Sequence, residues 1–221
     1  PLLIGEDPLE VDKVWNAMLL RTYKLGPHGV QPGAMVGVGI ALWDILGKVT
    51  GLPIYTLLGG SYRDRIKMYC SIGGGAPMTP DEMVSKVDDA LNAGFRAIKI
   101  RMDWGPHRRD SDPAKDMAMF TAVRKFVGDD IPLSFDANNG YSVSTAIRQG
   151  CQFEAMNIYH FEEPVAQYDY TGIKQVADAL DVPVSAGEHE YTRWQFRDLI
   201  AQANPDILLP DVVKCGGITE M

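Results

Sequence analysis

Acidic residues stand at four comparable points in this sequence: Asp136 in Ser134-Phe135-Asp136, Glu162 and Glu163 in Phe161-Glu162-Glu163-Pro164, Glu188 in Ala186-Gly187-Glu188, and Asp211 in Leu209-Pro210-Asp211. Each closes a short apolar segment. A fifth such segment closes in Lys99-Ile100-Arg101, with its two cations two residues apart. Taken singly, an acid after a strand is usually a helix cap or a surface charge. The spacing changes that reading, because 26 positions carry Asp136 to Glu162 and 26 more carry Glu162 to Glu188. Carboxylates brought into one cavity raise each other's pKa, and a divalent cation relieves the repulsion. All-oxygen ligands favour Mg²⁺ or Mn²⁺ over zinc, which prefers His and Cys.

The elements that must position these residues follow from the hydrophobic pattern. Apolar residues at helical spacing predict a helix over 8–24, with Pro8 in its first turn, and a second over 33–49 that is rich in small residues. Leu57-Leu58-Gly59-Gly60 ends a short helix in a glycine turn. From residue 66 the pattern alternates. Strands are predicted at 66–72, 97–102, 133–136, 158–162, 184–186 and 207–210, apolar on both faces as buried parallel strands are. Helices are predicted at 80–93, 113–127, 142–151, 170–180 and 192–203, some with clear opening signals such as Thr79-Pro80-Asp81-Glu82. Strand starts recur at the period of one β/α unit, which points to an α/β barrel short of the eight units that closure needs. A doubly wound sheet is the alternative, but it calls for a glycine-rich phosphate loop after its first strand. Gly73-Gly74-Gly75 lacks that spacing and reads as a tight turn.

Composition narrows the partners. The 221 residues are 46% hydrophobic and 23% charged, ordinary values for a globular chain. The formal net charge of −8 argues against general nucleic-acid binding. It does not exclude an anionic substrate beside a local cation. No uncharged apolar run of membrane-spanning length is present. Three scattered cysteines (Cys70, Cys151, Cys215) make neither a disulfide framework nor a zinc motif, so a reducing cytoplasm is the simplest compartment. The first residues lack the pattern of a signal peptide, and both ends read as cuts in a longer chain.

Together the motifs resemble the mandelate racemase branch of the enolase superfamily. The resemblance starts at Ala41-Leu42-Trp43-Asp44-Ile45-Leu46-Gly47-Lys48, with Pro53 and Leu57-Leu58-Gly59-Gly60 after it. It continues through Phe95-Arg96-Ala97-Ile98-Lys99-Ile100-Arg101, Asp136-Ala137-Asn138, Phe161-Glu162-Glu163-Pro164, Gly187-Glu188 and Pro210-Asp211-Val212-Val213-Lys214-Cys215-Gly216-Gly217. It implies a modified (β/α)7β TIM barrel with an α+β capping domain. Residues 1–60 would be the helical part of that cap, and 61–221 an incomplete barrel of strands one to six.

The same resemblance implies roles. Asp136, Glu162 and Glu188 match three Mg²⁺ ligands, Asn138 a substrate-binding position at the metal's edge, and Lys99 a charge beside the substrate carboxylate. Asp211 matches the aspartate of a His-Asp dyad whose histidine is expected beyond residue 221. The muconate-lactonizing branch has lysine at that position. Glu163 and Lys214 are read as structural. His189 is a candidate substrate contact and His160 a minor candidate, while His107, Arg108 and Arg109 read as solvated surface.

The family's shared step removes a proton α to a carboxylate. The second cation here is Arg101 where many relatives carry lysine, and arginine is a poor base. One good base suffices for β-elimination, whereas racemisation needs two. The implied activity is Mg²⁺-dependent dehydration of a sugar acid to a 2-keto-3-deoxy acid, with Arg101 orienting substrate oxygens. The alternatives are a racemase or epimerase of a 2-hydroxy acid and a non-catalytic relative. The expected partner is a small sugar acid, with no nucleic acid or membrane, acting on a cytoplasmic homo-oligomer.

Overall fold

Alternation along the strands divides the sheet into an apolar and a polar face. In the computed structural model, which describes residues 3–26, 28–104 and 109–221, six strands pair in parallel: β1 (Cys70–Ile72), β2 (Ile98–Arg101), β3 (Leu133–Asp136), β4 (Phe161–Glu162), β5 (Val184–Ala186) and β6 (Ile207–Leu208). The strand order is β1-β2-β3-β4-β5-β6 without reversal. A doubly wound sheet reverses its order at a switch point, so this succession is that of a β/α barrel. His107 and Arg108, read above as surface, lie outside the described residues.

The chain forms two compact units. One comprises Lys67–Ala186 and Leu199–Leu208 and holds the sheet. On one face of the sheet, Ile98, Ile100, Leu133, Phe135, Phe161 and Val184 are sealed from solvent. The helices α4 (Pro80–Asn92), α5 (Pro113–Val127), α6 (Val143–Glu154) and α7 (Tyr170–Ala179) supply Met83, Val87, Met119, Phe120, Val123, Phe153, Ile173 and Val176 to the same core. Phe153 packs on Phe120, Phe135 and Phe161 at centroid separations of 4.7, 4.8 and 5.5 Å. Truncating one such ring typically costs about 3–5 kcal/mol. The helices start where the sequence places them. Thr79 and Glu82 form a reciprocal capping box on α4, and the side chains of Asp112, Ser142 and Asp169 cap α5, α6 and α7.

The opposite face corrects the expectation of strands apolar on both sides. Register places Lys99 beside Ser134, Arg101 beside Asp136, Asp136 beside Glu162, and Glu162 beside Ser185. All of these point to the side away from the phenylalanines. The strands are also shorter than predicted at their starts: pairing begins at Cys70 and Phe161, not at Ile66 and Ile158.

The other unit comprises Pro1–Ile66, Gly187–Asp198 and Leu209–Met221. Helix α1 (Val11–Thr22) begins three residues after Pro8, which lies in the preceding turn instead of the first helical turn, and α2 (Val30–Thr50) begins earlier than predicted. Trp15 is fully buried among Val11, Val14, Met18, Met35 and Leu42. Of the small residues in α2, Gly39 is the one against the Trp15 ring; Gly33 and Gly37 have open space beside them. Among the described helices, α2 alone is long and apolar enough by composition to cross a membrane. A short α3 (Ile54–Leu57) follows, ending at Gly59 and Gly60 in positive-φ backbone. Helix α8 (Thr192–Gln202) has residues in both units, and α9 (Val212–Cys215) ends in a turn at Gly216 and Gly217.

Candidate active site

The polar face of the sheet carries two carboxylates and one buried cation. Lys99 Nζ lies 2.6 Å from Glu162 Oε1 and 3.7 Å from Asp136 Oδ2. It also sits over the Tyr69 ring, 5.4 Å from the centroid. All three charged side chains are almost fully buried. Burial pushes the Asp136 carboxyl up to about 7, helped by the neighbouring Glu162 charge, with Lys99 opposing. Burial also pushes Glu162 upward, but hydrogen bonds from His160 and Lys99 outweigh it and hold Glu162 below the usual glutamate range. Burial opposes the charge of Lys99, and its two carboxylates restore it, so its pKa is raised.

The turn after β3 completes this side. Asn138 and Asn139 adopt left-handed backbone, which asparagine tolerates. Asn138 donates its N–H to Asp136 Oδ1 at 2.8 Å, and its own Oδ1 is buried with no hydrogen-bond partner among the described residues. Asn139 Nδ2 donates to Glu163 Oε2 at 2.8 Å, so the second acid of the pair ties the β3 turn to the end of β4. Arg101 ends differently from Lys99. Its Nε is 2.7 Å from Asp103 Oδ1, and its guanidinium packs over Gly73, where a Cβ would come within 2.8 Å of Nη2. That contact explains the glycine triplet: Gly73 makes room for Arg101, Gly74 donates to Asp103, and Gly75 lies against Met102.

Within the unit that holds Trp15, the residues Glu188 and His189 follow the positive-φ Gly187. His189 Nδ1 is 2.7 Å from Lys214 Nζ, and its Nε2 is 3.5 Å from Glu188 Oε1. Lys214 was read as structural from sequence; it is the hydrogen-bond partner of a candidate substrate residue. Asp211 caps α9, accepting the Val213 N–H at 2.8 Å.

Within the sheet unit the structure brings Lys99, Asp136, Glu162 and Asn138 together; within the other unit it brings Glu188, His189 and Lys214 together. Arg101 is paired with Asp103, and Arg109 is exposed. Sequence reasoning missed Ser134 and Tyr69 near this site. The signal for Ser134 was the two-residue period that puts it one step below Asp136.

The donor chemistry of the sheet-borne group fits a hard divalent cation. It offers carboxylate oxygens and an unpartnered amide oxygen, no sulfur, and two buried acids for one lysine.

Comparisons with known proteins agree on kinship. Residues 1–59 match the family model described as mandelate racemase / muconate lactonizing enzyme, N-terminal domain, and residues 82–221 match enolase C-terminal domain-like. The chain is 35% identical to the arabinonate dehydratase of Saccharolobus solfataricus, covering 100% of this chain and 58% of that protein. It is 35% identical to the L-talarate/galactarate dehydratase of Salmonella typhimurium, covering 98% and 53%. It is 33% identical to the D-galactarolactone cycloisomerase of Agrobacterium fabrum, covering 99% and 57%. The chain therefore spans a little over half the length of these relatives. A solved mandelate racemase/muconate lactonizing protein from Paracoccus denitrificans, complexed with magnesium, superposes with a TM-score of 0.96 at 44% identity, covering 100% of this chain and 59% of that one.

Proposed function

The chain belongs to the mandelate racemase/muconate lactonizing enzyme family of the enolase superfamily, and on that premise we propose that it is part of an Mg²⁺-dependent dehydratase of sugar acids. The observation that carries this reading is the buried Asp136–Glu162 pair sharing one lysine, Lys99. Asp136 and Glu162 would hold the ion, with Glu188 as the third ligand that the sequence spacing supplies. When bound, Mg²⁺ supplies electrophilic stabilisation of the charge that develops on the substrate carboxylate.

The chain's own residues do the rest. Lys99 keeps Glu162 ionised and adds positive charge near the substrate carboxylate. Asn138, with its free Oδ1, accepts a substrate hydroxyl. The proton on C2 passes to a base, which the family resemblance assigns to a histidine outside these residues, oriented by Asp211. That base then protonates the departing C3 hydroxyl, and water leaves. The enol that remains tautomerises to the 2-keto-3-deoxy acid. Arg101 stays protonated and orients substrate oxygens instead of serving as a second base. His189, fixed by Lys214, contacts the substrate.

The dehydratases among the relatives support this class of reaction, and their names support sugar acids as substrates. The reading takes the whole protein to be a cytoplasmic homo-oligomer. An isomerase is the second reading, favoured by the cycloisomerase relative. The deciding experiment incubates the complete gene product with Mg²⁺ in D₂O and a panel of four- to six-carbon sugar acids. Keto acid from one or a few diastereomers supports dehydration. Deuterium exchange, epimer or ring-opened product without keto acid would replace it with isomerisation.

A further inference from the structure

His160 precedes Glu162 by two residues, just before β4, and is almost fully buried. Its Nε2 lies 3.2 Å from Glu162 Oε2, while its Nδ1 lies 2.8 Å from Ser134 Oγ. A carboxylate oxygen accepts, so Nε2 must donate. In the neutral ring Nδ1 is then the acceptor, and the Ser134 hydroxyl donates to it. With the ring neutral, the chain Ser134 → His160 → Glu162 has one direction, and all three members are buried. The rings of Tyr69 and Tyr159 flank the imidazole at 6.2 and 5.8 Å. Lys99 meanwhile holds the other oxygen, Oε1, at 2.6 Å. Glu162 is thus held at both oxygens by side chains one step below it on the sheet.

We infer that His160, oriented by Ser134, is a positioning residue that sets the Glu162 carboxylate for a divalent cation. This rests on the proposed role of Glu162. A buried histidine needs a partner at each ring nitrogen, and here the partners are the Ser134 hydroxyl beside it and the carboxylate of Glu162. Apolar residues fill the equivalent space on the other face of the same strands.

The test uses the complete gene product, stripped of metal and titrated calorimetrically with Mg²⁺ in the absence of substrate. Replacing His160→Phe keeps the bulk and removes the donor. It should weaken Mg²⁺ binding ~10–100-fold, the range for loss of an outer partner of a ligand. His160→Gln, which returns an N–H donor, should recover most of that loss. Ser134→Ala, a small change that the fold should tolerate, should weaken binding by a few-fold, on the order of one hydrogen bond. Mg²⁺ affinity unchanged within twofold in folded His160→Phe and Ser134→Ala would overturn the inference while leaving the Mg²⁺ reading intact. Equal loss in the His160→Gln and His160→Phe variants would also overturn it, since returning an N–H donor would then restore nothing. An unaltered protein that binds no Mg²⁺ would bring down both.

Discussion

Glu162 and Glu220 are two carboxylates with side chains sealed from water, one in each unit, and both are held below the ordinary glutamate range against the opposing pull of burial. Their surroundings differ in the supply of donors. Glu220 accepts from Trp15 Nε1 at 2.7 Å, from the Arg193 backbone N–H at 2.8 Å and from Arg193 Nε at 3.0 Å. One acid there has one cation and two neutral donors to itself. In the sheet unit, two acids divide one lysine, and the one farther from it, Asp136, rises to about 7. Donors in surplus make a carboxylate part of the frame. On the proposed reading, a pair one positive charge short is where the divalent cation would sit.

The largest effects should fall on metal binding. Asp136→Asn and Glu162→Gln should each weaken Mg²⁺ binding at least ~100-fold, the upper end of what losing an outer partner alone does. Glu220→Gln should leave it unchanged. Calorimetric titration of the metal-free protein makes the comparison, and equal losses at Glu220 would end the distinction between the two sites.

Stability without metal should move in opposite directions. Removing Glu220 as Glu220→Ala strips its donors of a buried partner and should cost about 3 kcal/mol. Asp136→Asn should stabilise the metal-free protein at pH 8, since ionising this buried acid is unfavourable. Each pKa unit corresponds to about 1.4 kcal/mol. The sign in pH follows. An unfolded aspartate titrates near ~3.9, whereas Asp136 does so at about 7, so the native state binds more protons between these values. Its contribution to the unfolding free energy therefore falls as pH rises from about 4 to about 7. Glu220, with its pKa lowered, behaves oppositely: its contribution is present above the unfolded glutamate value and is lost as pH falls. Urea unfolding in a chelator across that range should show a downward slope that Asp136→Asn flattens. Mg²⁺ should remove the same slope, because it displaces the proton.

A third buried acid tests the rule with neutral donors only. Asp116 accepts from Trp104 Nε1 at 2.7 Å and from the Tyr141 hydroxyl at 2.5 Å, and burial raises its pKa. Tyr141→Phe should cost about 1–3 kcal/mol, the penalty of a buried group losing a partner. It should not change Mg²⁺ affinity, because the hydrogen bonds of Asp116 go to Trp104 and Tyr141 and not to Asp136 or Glu162. Chemical unfolding beside the same titration checks both halves.

In the sheet unit the sequence made most strand ends and the helix starts legible, because both depend on local chemistry. Thr79, Asp112 and Ser142 announce helices through side chains that bond backbone a few residues away. The acids at strand ends stood out by their 26-residue repeat. The strand beginnings were overdrawn because Ile66 and Met68 look like strand residues yet stay exposed and unpaired. The polar face of the sheet was missed because Ser134 and Ser185 are small enough to pass unnoticed in apolar runs. Glu220 was invisible for another reason: its partner Trp15 lies 205 residues away, and an acid near a turn reads as surface until the fold brings the donor to it.

The smallest effect separates the two sites most finely. Arg193→Lys keeps the positive charge but cannot reproduce the planar fork of donors. Glu220 would still accept from Trp15 Nε1 and the residue-193 backbone N–H, neither of which the substitution touches. The expected loss is about 1 kcal/mol or less, the net worth of one hydrogen bond, read as a small shift in the urea midpoint without a change in slope. The matching change in the sheet unit, Lys99→Met, removes the cation that Asp136 and Glu162 share, and should cost several times more in the metal-free protein. Saturating Mg²⁺ should restore much of the loss at residue 99 and none of it at residue 193, because a divalent ion can replace a shared positive charge but has no part in a carboxylate already fully satisfied.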